Sequence, residues 1–349
     1  MNIHEKYIKR CIELAKKGMG STSPNPMVGC VIVYDDKIIG EGWHRKAGEA
    51  HAEVNAINAV TDKELLKKST LYVSLEPCNH IGKTPPCSDL IVHHKIPKVV
   101  VGSIDPHDIV AGKGIKKLKN NNCNVTVGVL EDECVELNKR FFTYHTKKRP
   151  YIILKWAQST DGFIDFNREV LDKKNAKPNW ITNKFSRQMV HKWRTEEQAI
   201  LVGTNTVLKD NPSLTARDWF GEDPVRIVLD RVLKIPTDYS IFDQKVKTII
   251  LTEKDKLLSS KQLIYEYIDF SKNIAQQICN VLYRHKIQSI IIEGGAKTLQ
   301  TFIDARLWDE VRVFIGKISL KKGIKAPYFN ANEISSQSIQ SDILKIYKK

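Results

Sequence analysis

His51-Ala52-Glu53 and the later run Pro77-Cys78-Asn79-His80-Ile81-Gly82-Lys83-Thr84-Pro85-Pro86-Cys87 carry the strongest chemical signal in the chain. Zinc favours imidazole nitrogen and cysteine thiolate, and a catalytic zinc takes three protein ligands and leaves a fourth position for water. His51, Cys78 and Cys87 supply three, for one zinc ion per chain. A metal so held lowers the pKa of water to about 7, which makes a nucleophile near neutral pH. Glu53 lies two residues from a ligand and is not needed as one. It is the candidate to take the water's proton and pass it to a departing amine. Either half alone is weak, because His-x-Glu is common and a lone Cys is usually a small buried apolar residue. Their combination, at junctions of strand or loop with helix, is specific. It sets one structural demand: residues i and i+2 of a regular helix do not share a face, so His51 must stand at the very start of its helix.

Outward from this pair, hydrophobic periodicity predicts alternating helices and strands. Residues 2–18 read as an amphipathic helix ended by Gly18, and 27–34 with 37–43 as a hairpin around Asp35-Asp36. Helices follow over 51–60, from Pro86-Cys87, over 114–120 and over 131–145; strands fall at 70–75, 98–101 and 125–127. That alternation predicts an α/β/α sandwich. The basic stretch Thr146-Lys147-Lys148-Arg149-Pro150 reads as a boundary, placing one domain at 1–146 and another at 150–349. In the second domain strands are expected at 151–156, 199–203, 226–230, 248–251, 289–293 and 310–315, with helices at 184–195, 273–285 and 299–305. Ile339, Ile343 and Ile346 mark a last strand in a polar tail.

A chain of 349 residues exceeds one usual domain, which agrees with that division. The net charge of +15 invites a nucleic-acid reading, but residues 1–150 carry +6 (23 basic, 17 acidic) and the rest +9 (32 and 23). The excess follows length and forms no stripe interleaved with aromatics, so no nucleic-acid footprint is expected. No apolar run of about 18 residues predicts a membrane span, and the first residues lack the pattern of a secretory signal. Seven cysteines without an export signal point to the reducing cytoplasm and to metal binding rather than disulfides.

The His-x-Glu and Pro-Cys elements resemble the zinc nucleobase deaminase signature, which closes on Cys-x-x-Cys. Here eight residues separate the two cysteines, so the loop must fold back for both sulfurs to face one metal. With Ser23-Pro24-Asn25-Pro26-Met27-Val28-Gly29-Cys30, these segments closely resemble the bifunctional deaminase/reductase family of riboflavin biosynthesis. The resemblance implies a cytidine-deaminase-like α/β/α sandwich that deaminates 2,5-diamino-6-(5-phosphoribosylamino)pyrimidin-4-one. It places Asn25, His44, His80 and Lys83 in the substrate pocket. Donors and positive charge there suit a phosphorylated, polar substrate.

In the second domain, Glu293-Gly294-Gly295-Ala296 sets two glycines between an apolar strand and a helix, a geometry that lets backbone approach phosphate at a helix N-terminus. It is not Gly-x-Gly-x-x-Gly, so a Rossmann fold is not supported. Leu154-Lys155-Trp156-Ala157-Gln158-Ser159-Thr160-Asp161-Gly162, Trp180-Ile181-Thr182 and the run from Gly203 to Arg217 resemble the reductase half of the same family. The resemblance implies a dihydrofolate-reductase-like α/β domain that uses NADPH to convert a ribosyl group to ribityl. By position, Ala157, Trp180, Thr206, Asp210, Gly295, Ala296, Lys297, Thr298, Leu299, Gln300 and Thr301 match dinucleotide contacts. Leu214, Arg217 and Glu293 match substrate contacts, and Pro178 falls where the family has a contacting Ser. Arg217 suits a phosphate, and Asp210 is a candidate to assist proton delivery. The chain departs from the family over Phe163-Ile164-Asp165 and the Lys-rich stretch up to Pro178.

The expected partner is a small phosphorylated pyrimidine, with no nucleic acid and no membrane, in a homo-oligomer (dimer or tetramer). Two other readings make different demands. A deaminase of nucleic-acid bases with an accessory binding domain needs a clustered basic groove beside Glu53. A zinc that only staples the fold needs a fourth protein ligand and leaves Glu53 without a purpose.

Overall fold

Helix α1 (Ile3–Lys16) opens on a capping box: the Asn2 side chain accepts from the Glu5 N–H at 2.9 Å, and Glu5 accepts from the Asn2 N–H at 3.1 Å. The computed structural model describes residues 2–79, 85–107, 110–167, 176–255 and 258–349. The chain divides into two units, Met1–Lys148 and Arg149–Lys349.

In the first unit β1 (Gly29–Tyr34) and β2 (Lys37–Trp43) form an antiparallel hairpin. Strand β3 (Thr70–Leu75) runs antiparallel to β1 and parallel to β4 (Lys98–Ser103), which is parallel to β5 (Asn124–Val127). The sheet order is β2-β1-β3-β4-β5. Successive strand residues face opposite sides. Cys30 and Ile32 of β1 therefore pack with α2 (Ala52–Ala59), α3 (Cys87–His93) and α4 (Lys113–Asn120), while Val31 and Val33 pack with α1 and α5 (Glu131–Leu137). This is the α/β/α sandwich that the alternation predicts.

One expected helix is two. The run 131–145 breaks at Asn138 (φ −105°, ψ 24°), between α5 and α6 (Lys139–Lys147). Asn138 Oδ1 accepts from the Met27 N–H and its Nδ2 donates to the Met27 carbonyl, both at 2.8 Å. That paired contact with a distant loop outweighs uninterrupted helix, and hydrophobic periodicity does not register it.

The second unit is built on a nine-stranded sheet. Its elements in chain order are β6 (Tyr151–Gln158), β7 (Phe163–Asp165), α7 (Lys184–Glu196), β8 (Ala199–Gly203), α8 (Thr204–Asp210), β9 (Val225–Leu229), β10 (Thr248–Thr252), β11 (Leu263–Tyr267) and α9 (Ile274–Arg284). Then come β12 (Ser289–Ile292), α10 (Ala296–Asp304), β13 (Glu310–Ile315), β14 (Ile324–Lys325), β15 (Asn332–Ile339) and β16 (Asp342–Lys348). The order is β11-β10-β9-β8-β12-β6-β13-β16-β15, and β7 pairs separately with β14. The seven strands from β11 to β13 are parallel, while β16 and β15 run antiparallel at one edge. A parallel sheet is covered on both faces, which is why β6 and β12 read as near-continuous apolar runs. Ile152, Leu154, Ile290 and Ile292 pack with α9 and α10; Ile200, Val202 and Ile291 face the other way, toward α8 and α7.

The single strand expected in the tail is a hairpin, β15 and β16. Strand β15 is exposed along all but its last residue, so it offers no apolar alternation to read. Strand β11, half-buried at the opposite edge, and the seven-residue α8 also carry little sequence signal. Among the described residues no helix is long and apolar enough to cross a membrane.

Candidate active sites

His51 occupies the N-cap position of α2 with an extended backbone (φ −70°, ψ 166°), which frees it from the helical geometry that would part it from its partners. Its Nδ1 lies 3.3 Å from Cys87 Sγ and 3.6 Å from Cys78 Sγ. The three ligand atoms all lie within 4.8 Å of one another. Cys78 leaves the C-terminal end of β3, and Cys87 is the first residue of α3, so its backbone N–H points at Cys78 Sγ, 3.3 Å away. The Cys78 thiol is held below the usual thiol range by the hydrogen bond from Cys87, with His51 and that N–H adding to it. The same bond and burial raise Cys87. One ring nitrogen, a sulfur disposed to be thiolate and a second sulfur beside it are the donor set a tetrahedral zinc takes, and the residues fit.

Glu53 sits in the first turn of α2, 3% exposed and close enough to Cys87 to bond it. Burial, with Cys78 adding, pushes its carboxyl up to about 7. His44 lies beside the cluster, its ring edge-on to His51 with centroids 5.4 Å apart. His44 Nδ1 faces the Ala50 carbonyl and Nε2 faces Asn25 Nδ2, each at 3.1 Å. A carbonyl only accepts and an amide NH₂ only donates, so this ring is neutral and carries its proton on Nδ1. Burial lowers its pKa in agreement. The structure therefore gathers Asn25, His44, His51, Glu53, Cys78 and Cys87; His80 and Lys83 lie outside the described residues.

Sequence reasoning missed Glu76, one residue before the Pro77-Cys78 turn. Its buried carboxylate accepts four backbone N–H groups: Oε2 from Asp105 (3.3 Å) and Gly112 (2.9 Å), Oε1 from Gly114 (2.9 Å) and Ile115 (3.2 Å). The chain leaving β3 toward Cys78 is thereby tied to the start of α4. Glu76→Ala strands four donors in the interior, and the expected loss is at least about 3 kcal/mol. Thermal melting and the rate of zinc release to a chelator would measure it; unchanged values would show the carboxylate to be incidental.

The second unit holds a cavity of about 910 Å³. Ala157, Pro178, Trp180, Thr206, Asp210, Leu214, Arg217, Glu293, Gly295, Ala296, Lys297, Thr298, Leu299 and Thr301 all line it. Gln300 does not: its amide donates to Asp304 Oδ1 (2.7 Å) and accepts from the Tyr328 N–H (3.0 Å), on the far side of α10. The Gly-Gly turn is required by geometry. A Cβ on Gly294 would meet Val202 Cα at 2.5 Å, and Gly295 has φ +68°. Helix α10 thus starts at the cavity wall with its first N–H groups unbonded within the helix, a cradle that fits a dinucleotide's phosphates.

The cavity also holds two basic residues, Arg194 and Lys155, to which sequence reasoning gave no role. Glu293 Oε2 lies 2.8 Å from Arg194 Nη2 and 3.8 Å from Lys155 Nζ. Burial alone would raise Glu293, but Arg194 and Lys155 outweigh it and hold the carboxyl down to about 2. Lys155 has one carboxylate against its own burial and the nearby Arg194, so its pKa falls below the usual lysine value. A lysine inside the apolar run Tyr151-Ile152-Ile153-Leu154 was the legible clue. Beside Pro178, which lacks an N–H, the Nδ2 of Asn179 is buried with no partner among the described residues.

Residues 1–103 match the cytidine and deoxycytidylate deaminase zinc-binding region, and residues 150–336 match the RibD C-terminal domain. The riboflavin biosynthesis protein RibD of Aquifex aeolicus is 40% identical over 99% of this chain and 94% of its own length. The chain belongs to the RibD family of riboflavin-biosynthesis proteins. RibD of Escherichia coli is 34% identical over 89% of this chain and 87% of its own. Among solved structures, the Thermotoga maritima diaminohydroxyphosphoribosylaminopyrimidine deaminase/5-amino-6-(5-phosphoribosylamino)uracil reductase superposes with TM-score 0.88 at 38% identity, covering 99% of this chain and 98% of that one. RibD of Acinetobacter baumannii follows at 0.86 and 33%, with the same coverage.

As a RibD protein the chain is a bifunctional enzyme, with a zinc-dependent deaminase of cytidine-deaminase-like fold followed by an NADPH-dependent reductase of dihydrofolate-reductase-like fold. Full-length RibD relatives favour this reading over a nucleic-acid deaminase with an accessory domain.

Proposed function

We propose that the first unit hydrolytically deaminates 2,5-diamino-6-(5-phosphoribosylamino)pyrimidin-4-one and that the second reduces the ribosyl group of the product to ribityl. The near full-length likeness to the Thermotoga enzyme carries this reading. Zinc on His51, Cys78 and Cys87 supplies the Lewis acidity that makes water a nucleophile near neutral pH. Glu53 takes the proton from the attacking water and returns it to the departing amine. Asn25 and the neutral ring of His44, which hold each other in place, line the pyrimidine pocket, and Lys83 and His80 supply further donors.

In the second unit NADPH supplies hydride, held by Ala157, Trp180, Thr206, Asp210 and the turn from Gly295 to Thr301, where Gln300 contributes backbone only. Arg217 and Arg194 meet the ribose phosphate. Opening the ribose requires a proton at the ring oxygen, and Lys155, lowered by burial and oriented by Glu293, holds one at Nζ inside the cavity. We assign proton delivery to Lys155; Asp210, the last residue of α8 and also part of the cavity wall, is the other candidate. Leu214 and the backbone of Pro178 complete the substrate wall.

The seven free cysteines suit a reducing cytoplasm. Exposed edge strand β15 suits pairing with a second copy, as the expected dimer or tetramer requires; sedimentation would test that assembly.

The test is metal analysis of the full chain with mass-spectrometric assay of the diaminopyrimidine, with and without NADPH. Amine-to-carbonyl exchange without NADPH and two added hydrogens with it are expected. In Arg217→Ala the KM for the deaminated substrate rises on the order of tenfold, as loss of one charge-assisted phosphate contact predicts. Wild type without NADPH turnover would refute the reductase half.

A further inference from the structure

We propose that His191 is a third cation of the phosphate subsite in the second unit, taking up a proton from solvent as the phosphorylated substrate docks against Arg194 and Arg217. This rests on the reading that the substrate's phosphate meets Arg217.

His191 lies on α7, 4% exposed, in the wall of the large cavity. Its Nδ1 is 3.0 Å from the carbonyl oxygen of Thr215, and its Nε2 is 3.2 Å from Asp218 Oδ2. Both neighbours present oxygen acceptors to the ring. A neutral imidazole has one N–H and can satisfy only one of them; the other nitrogen would set lone pair against lone pair. The imidazolium alone satisfies both.

The surrounding charges oppose that state in the free enzyme. Burial lowers the His191 pKa, and Arg194 on the same helix and Arg217 on the loop after α8 lower it further. Asp218 and the Thr215 carbonyl act the other way. Glu293, at the end of β12, also feels His191, but it is already shared between Arg194 and Lys155 of β6. A phosphate group brings a charge of about −1.5 to −2 at pH 7. Placed on Arg194 and Arg217, it cancels the repulsion that kept the ring neutral, and the hydrogen-bond geometry waiting on both nitrogens is then completed.

The proton also fixes the loop. Thr215 O accepts from Arg194 Nη1 at 2.9 Å as well as facing His191. The preceding Leu214 has φ +56°, the turn that brings this carbonyl and then Arg217 to the cavity. Protonation therefore tightens the segment that presents Arg217. The sign follows: the complex holds the proton to higher pH than the free enzyme. Affinity is greatest below the free-enzyme pKa, falls as pH rises to the pKa of the complex, and levels off above it.

The test compares wild type with His191→Gln, following KM for the phosphoribosylaminouracil from pH 6.5 to 8.5. It adds calorimetry of ribose 5-phosphate binding in two buffers of different ionisation heat. Wild-type KM is expected to rise on the order of tenfold more than that of the variant, corresponding to one pKa unit of coupling, with net proton uptake that the variant lacks. Asp218→Asn, at a half-exposed position, provides a second variant and should flatten the profile too. NADPH binding by fluorescence checks that each variant is folded. Equal pH slopes in wild type and both variants would assign the slope to the substrate's own phosphate and overturn the proposal, as would binding without proton uptake. A chain that oxidises no NADPH at any pH would sink the reductase reading, while the ribose 5-phosphate arm would still decide the role of His191.

Discussion

Glu53→Gln is expected to lower deaminase turnover by about 10³-fold, the scale of a lost general acid–base group, while zinc content and NADPH oxidation stay at wild-type values. The substitution changes little else. Glutamine has nearly the same volume, the position is 3% exposed in the first turn of α2, and the ligand atoms come from His51, Cys78 and Cys87. What disappears is the ability to accept a proton and give it back. Metal analysis beside the mass-spectrometric assay separates the alternatives. Deamination at the wild-type rate would end the proposed mechanism and favour the reading of a structural staple, and loss of zinc would show Glu53 to be needed to hold the metal.

Removal of the carboxylate at Glu293 should have the largest effect on the second unit. Glu293→Ala leaves Lys155 and Arg194, with side chains 13% and 12% exposed, facing each other without an anion. Breaking such a buried network from one side costs about 3–5 kcal/mol. Scanning calorimetry of the full chain should show the second unit's transition moved down and the first unit's unmoved. The pH dependence has a definite sign. The folded pKa is depressed to about 2, so the stabilisation is complete above the unfolded carboxylate range and is lost as pH falls through it toward 2. The full swing is about 3 kcal/mol for a buried group shifted this far. The variant should lack that acid-sensitive component. Adding Lys155→Met should restore part of the stability, because it removes the stranded charge; a double variant no more stable than the single would refute this account of the network.

The two sites differed in how much of them could be read from sequence. A zinc site is built from rare residue types at short spacing, so His51, Glu53, Cys78 and Cys87 stood out before any fold was known. The one geometric objection, that His51 and Glu53 cannot share a helical face, is resolved by the extended backbone at the N-cap. The ion network of the second unit uses common residues brought together from β6, α7 and the end of β12, three segments far apart in the chain. Only Glu293 was noticed, through its place beside the glycines. Glu76 was silent for a related reason: its partners are backbone N–H groups, which every residue possesses. Strands on the buried parallel sheet were legible because both faces are apolar, whereas exposed β15 had no pattern to offer. Gln300 fell within a contiguous stretch assigned by position, but a helix turns one residue in three or four away from any one surface.

The contact between Asn138 and Met27 bears on where the deaminase ends. The zinc-binding match stops at residue 103, and a fragment cut there would keep His51, Glu53, Cys78 and Cys87. It would lose the amide that grips Met27 by both its backbone groups, two residues after Asn25, and with it the gauge that sets the depth of Asn25 against His44. A fragment expected to keep that grip on Met27 therefore extends past the last strand of its sheet, to the break between two helices that periodicity had joined into one.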